Sequence, residues 1–123
     1  MSLTKREQSR IERTLAATLT DACEAAKAEI VGFQWLTHDV DYQRFPASLR
    51  VIWIFDSQAN RERALTNGQG ERMAELTAEA FSQAGISVGS VSAHLSFDSE
   101  EQCQCVDAGN WQQRLARQRK SRP

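Results

Sequence analysis

The 123-residue chain is 41% hydrophobic and 25% charged with a formal net charge of −1, values that argue against wholesale disorder and suit one domain able to bury a core without metal or disulfide staples. No apolar run reaches the roughly 18 residues that a membrane span requires. The segment from Met1 to Gln8 is too polar for a signal peptide, so a cytoplasmic protein with no membrane contact is expected.

Taken in order, Thr4-Lys5-Arg6-Glu7 fits a capping box that opens a helix running to about Glu29. Ile11, Leu15, Leu19, Ala22, Cys23, Ala26 and Ile30 recur at three- and four-residue steps and give it one apolar stripe. Gly32 ends that region, and Phe33 to Tyr42 reads as a first strand with Phe33, Trp35 and Thr37 on one face and Leu36, His38 and Val40 on the other. A turn containing Pro46 leads to a second strand, on which Leu49, Val51, Trp53 and Phe55 face one way and Arg50, Ile52, Ile54 and Asp56 the other. Both of its faces are apolar at the centre, which predicts a strand that is central or covered on both sides.

Ser57 to Leu65 reads as a short helical turn and Thr66 to Gly70 as a loop. Met73, Leu76, Thr77, Ala80, Phe81 and Ala84 then mark a second long helix from about Glu71, with Gly85 placed for a left-handed C-terminal cap. Ile86 and Val88 open a third strand, continued in the opposite parity by Val91, Ala93, Leu95 and Phe97, so a bulge is expected at Gly89-Ser90. Asp98 or Ser99 caps a further helix to Val106. Asn110 caps a last segment through Leu115, with Trp111 docking it onto the body. The expected fold is α+β, a two-layer α-β-β-α-β-α arrangement with a three-stranded sheet packed by two longer helices. Residues 1–117 form the domain, and 118–123 form a disordered basic tail.

The candidate sites are few. Cys23, Cys103 and Cys105 are an odd number, which points to a reducing compartment, and Cys103-Gln104-Cys105 lacks a second Cys or His pair at zinc-site spacing. No cofactor, metal or catalytic residue is therefore expected. His38 and His94 have no nucleophile at a recognisable offset; His94, between Ala93 and Leu95, should point to solvent with Ser92 and Ser96. Asp56 and Asp98 each close a strand before a serine. They read as helix caps, or, in an alternative reading, as the metal ligands of a nuclease or phosphoesterase.

Charge is the remaining signal. The two ends, residues 1–13 and 114–123, hold nine basic side chains against two acidic ones, while the residues between hold six against fourteen. Lys5, Arg6, Arg10 and Arg13 at one end, and Arg114, Arg117, Arg119, Lys120 and Arg122 at the other, are the candidate contacts for nucleic acid or an acidic protein. A homo-oligomer through an exposed strand edge is a third reading.

Phe33-Gln34-Trp35-Leu36-Thr37-His38, Phe45-Pro46-x-Ser48-Leu49, Ser96-Phe97-Asp98-Ser99-Glu100-Glu101 and Gly109-Asn110-Trp111 carry a resemblance that spans most of the chain. By these motifs it resembles a family of small bacterial proteins of uncharacterised activity, often labelled Fis-family transcriptional regulators. The resemblance supplies a family without a known activity and transfers no functional residue. The strand signals describe a fold other than the all-helical dimer of Fis itself. The α-β-β-α-β order is also similar to the N-terminal domain of the bacterial ribosome maturation factor, an analogy of fold alone. A non-enzymatic cytoplasmic binding or regulatory protein is the expected function.

Overall fold

The computed structural model describes residues 3–121, with side chains from Leu3 to Gln118. The first helix, α1 (Lys5–Glu29), opens on the expected capping box: Thr4 Oγ1 accepts from the Glu7 amide at 3.1 Å, and Glu7 Oε1 accepts from the Thr4 amide at 2.9 Å. Its stripe buries Leu15, Leu19, Ala22 and Ala26. Strand β1 (Phe33–Asp39) follows and pairs antiparallel with β2 (Arg50–Phe55). Their connection holds a 3₁₀ turn at Tyr42–Arg44, capped by Asp41, and a cis peptide at Phe45–Pro46. Tyr42 thus lies beyond the strand, which ends at Asp39, because the Asp41 carboxylate takes the Gln43 amide and turns the chain.

All six residues of β2 are buried. It is the middle strand of the order β1-β2-β3, with β3 (Leu95–Ser99) parallel to it. One face of β2 presents Val51, Trp53 and Phe55 to a core shared with α1 and with α3 (Gln69–Gln83). Each such side chain contributes about 1.5–3 kcal/mol on burial. The indole Nε1 of Trp53 has no hydrogen-bond partner among the described residues. Ile52 and Ile54, on the opposite face, are also fully buried.

Several sequence expectations change. In β1, Phe33 pairs with Phe55 but Trp35 pairs with Ile54, so Gln34 is an extra residue and the parity flips there. Phe33 therefore sits in the core, 5.0 Å from Trp53 ring to ring, whereas Trp35 faces the other side of the sheet. The segment after Ser57 is a nine-residue helix, α2 (Gln58–Thr66), started by Ser57, whose hydroxyl accepts from the Asn60 amide.

The third strand begins at Leu95, not at Ile86. Ile86 and Gly85 close α3 by donating to Phe81 and Ser82 carbonyls at 2.8 and 3.1 Å, a Schellman cap with Gly85 at φ 73°. Val91–His94 then wind a 3₁₀ turn, and β2 begins at Arg50, only one residue before the Val51–Leu95 pair, so it offers no strand for the stretch from Ile86 to pair with. Gly89-Ser90 lies in that connection rather than in a bulge. His94, expected at the surface, is 9% exposed, with Nδ1 2.6 Å from the Leu49 carbonyl and its ring edge-on to Phe81.

The chain closes with α4 (Glu100–Asp107), capped by Ser99, and α5 (Trp111–Ser121), which continues past the end expected near Leu115. Between them Ala108 and Gly109 both take positive φ. Trp111 docks α5 onto the second face of the sheet: its ring meets Trp35 edge-on at 5.3 Å, and the two indole N–H groups donate to the two oxygens of Glu100.

Candidate nucleic-acid interface

Lys5, Arg6, Arg10 and Arg13 all lie exposed on the first three turns of α1. At 3.6 residues per turn, Arg6, Arg10 and Arg13 fall within an arc of about 60° and span about 10 Å of helix. That arc lies opposite the stripe of Leu15, Leu19 and Ala22, so the three guanidinium groups crown the helix on the side away from the core. Among the described residues none of the four cations has a side-chain hydrogen bond or ion pair.

The two acids of this segment are engaged elsewhere. Glu7 is held in the capping box, where the amide and hydroxyl of Thr4 first, and the charge of Arg10 to a lesser extent, lower its carboxyl below the ordinary range. Glu12 turns toward β1, where its oxygens lie 2.6 Å from His38 Nε2 and 2.7 Å from the Tyr42 hydroxyl, which donates to it. Burial, and then this carboxylate, push the Tyr42 phenol up. Cations in the first turn also oppose the helix dipole, which favours acids there. Lys5 and Arg6 therefore cost the helix a few tenths of a kcal/mol where they stand.

The C-terminal cations have a different environment. Arg114 is only 9% exposed. Its Nε and Nη2 donate to the two oxygens of Asp98 at 2.7 and 3.0 Å, and its Nη1 donates to Asp107 at 2.8 Å. Arg117 reaches the same Asp107 with both Nη groups, at 2.6 and 2.9 Å. Burial pushes the Asp98 carboxyl up, but Arg114, the Ser99 amide and Gln118 outweigh it and hold it below the ordinary range. Arg117 first and Arg114 second do the same for Asp107. Burial raises the Cys103 thiol, while Cys105 is exposed and unpaired with it. Arg114 is thus part of the internal structure and Arg117 is committed to Asp107. The side chains of Arg119 and Lys120, and all of Arg122, lie outside the described residues.

The two strand-closing aspartates stand at the same edge of the sheet, since β2 and β3 run parallel. Neither caps a helix: Ser57 and Ser99 do. Asp56 is exposed and accepts from the Asn60 side chain at 2.9 Å, while both oxygens of Asp98 are occupied by Arg114. Among the described residues there is no group of three or more His, Cys, Asp or Glu side chains that could hold a metal ion, and no helix long and apolar enough to cross a membrane.

Asp107 was invisible to sequence reading, because its partners lie seven and ten residues on, across the Ala108-Gly109 break. The same holds for Glu12, whose partners come from β1 and the following turn. The offsets that signal helical ion pairs are three and four residues, and neither case has one. Compared with protein-family models, with curated proteins and with solved structures, the chain matches none.

Proposed function

We propose that this is a non-enzymatic binding protein that docks on the phosphate backbone of nucleic acid through the outer face of α1. One observation carries the reading: Arg6, Arg10 and Arg13 project together while both neighbouring acids are tied to internal partners. A local excess of unpaired cations on a rigid helix is the electrostatic footprint of backbone binding, which needs no base-specific contact. The resemblance to small bacterial proteins labelled transcriptional regulators belongs to the same proposal. Arg119, Lys120 and Arg122 are candidate further contacts by their charge alone, whereas Arg114 and Arg117 serve the fold.

Fluorescence anisotropy with a labelled DNA duplex tests it. Three phosphate contacts give a slope of log K against log salt of about −2.7. Replacing Arg6, Arg10 and Arg13 together with glutamine is expected to abolish binding. Retained binding in that variant overturns the reading, and so does equal competition by polyglutamate, which would indicate an acidic protein as the partner. A C-terminal truncation that tests the tail starts no earlier than Arg119, since losing Arg114 strands Asp98.

A further inference from the structure

The sheet has two edges, and the fold treats them differently. Along the outer side of β3 lies α2, whose Arg61 Nε donates to the Phe97 carbonyl at 2.9 Å. The outer side of β1 has no such cover: among the described residues, nothing beyond β2 hydrogen-bonds to the backbone of the strand from Trp35 to His38. In an antiparallel pair every second residue turns its amide and carbonyl away from its partner. β1 therefore presents a row of backbone donors and acceptors outward, a template for another strand. Such edges are commonly blunted by lysine, proline or a bulge. The bulge of β1, at Gln34, lies at the start of the strand and leaves five regular residues, Trp35 to Asp39. Neither lysine nor proline stands among them, and the one acid, Asp39, is held by Arg50 of β2 at 3.7 Å.

This regular segment is complementary to itself. About a two-fold axis at its midpoint, Thr37, all five residues pair with the same five of a second copy: Thr37 opposite Thr37, Leu36 opposite His38, and Trp35 opposite Asp39. No like charges meet. An axis nearer the start of the strand draws in the Gln34 bulge, and one at Asp39 sets two carboxylates face to face, which is unfavourable. The axis stands perpendicular to the sheet, so α1 of both copies stays on one side of it. Because α1 runs against β1, with Glu12 level with His38, Arg6 and Arg10 lie beyond the Asp39 end of the strand in each copy. Their charges fall at opposite ends of the pair rather than against one another.

We propose that this chain forms a homodimer by adding β1 to β1 of a second copy, antiparallel about Thr37, so that two three-stranded sheets join into one of six strands. An edge that is merely solvated predicts a monomer at every concentration.

The test is sedimentation equilibrium of the full chain across the micromolar range, without nucleic acid, so that its outcome is independent of the α1 reading. The average mass is expected to rise with concentration from the 13.8 kDa of one chain towards twice that value. Thr37→Glu places two carboxylates at the axis beside both Asp39 side chains, and is expected to weaken association about tenfold or more. Thr37→Cys, in a chain whose exposed Cys105 is replaced by serine, sets two thiols on directly opposed residues, whose Cβ atoms lie about 4.5–5.5 Å apart. A disulfide-linked dimer is expected on mild oxidation, and none from Gln34→Cys, away from the axis, in the same background. Should Thr37→Glu prove unfolded by circular dichroism, the two cysteine variants decide. A wild type that keeps the mass of one chain throughout, association unchanged in a folded Thr37→Glu, or no disulfide-linked dimer of Thr37→Cys overturns the proposal.

Discussion

The two basic ends of this chain look alike in sequence and differ in what their charges meet. In α1 the acids turn inward, Glu7 to its own helix cap and Glu12 to His38 and Tyr42, so Arg6, Arg10 and Arg13 are left facing outward. In α5 Arg114 is buried and Arg117 is drawn to a carboxylate beside it, because two distant acids, Asp98 and Asp107, come to meet them. A run of like charge therefore carries no meaning by itself. Its meaning depends on whether the nearby opposite charges are spent elsewhere or spent on it.

That contrast can be broken most forcefully at Arg114. Arg114→Ala leaves the 5%-exposed Asp98 as an uncompensated buried charge, and removing one partner of such a pair costs about 3–5 kcal/mol; urea denaturation should read a loss of that size. Trp111→Ala comes next, since it removes the edge-on contact with Trp35 and one donor to Glu100. The aromatic pair alone is worth about 0.5–1.5 kcal/mol beyond the lost burial, and native-state hydrogen exchange should show α5 opening before the α1–α3 core.

Acid titration sharpens the same side of the comparison. The folded carboxyls of Asp98 and Asp107 lie below their unfolded value of about 3.9, so their contribution is fully present above that pH. It is lost as the pH falls through the folded values. The wild type should therefore lose stability below about pH 4, and an Asp98→Asn variant, already destabilised at neutral pH, should lose less over that range. The smallest effect is expected at the other end: replacing Arg6, Arg10 and Arg13 with glutamine should change stability by no more than about 0.5 kcal/mol. A large loss there would mean that these cations are structural after all.

The same difference explains how much of the molecule was legible in its sequence. The α1 capping box, the apolar stripes of α1 and α3, the two-faced burial of the middle strand and the Gly85 cap all depend on local spacing, and the structure has each of them. Gln34 inverts the parity of β1 because a bulge depends on the register of the neighbouring strand. Ile86 and Val88 read as strand from composition, yet no partner strand extends far enough to pair with them. Of the candidate interface, the charges were visible and their availability was not. Arg114 and Arg6 are indistinguishable until the fold brings Asp98 beneath one of them.

The claim that the outer face of α1 meets a polyanion is tested most directly by the salt dependence of DNA binding, measured side by side for the wild type and the Arg6/Arg10/Arg13→Gln variant. The expected result is a slope near −2.7, from about 0.9 per phosphate contact, in the wild type and no measurable binding in the variant. Equal affinity and equal slope for the two proteins would contradict it.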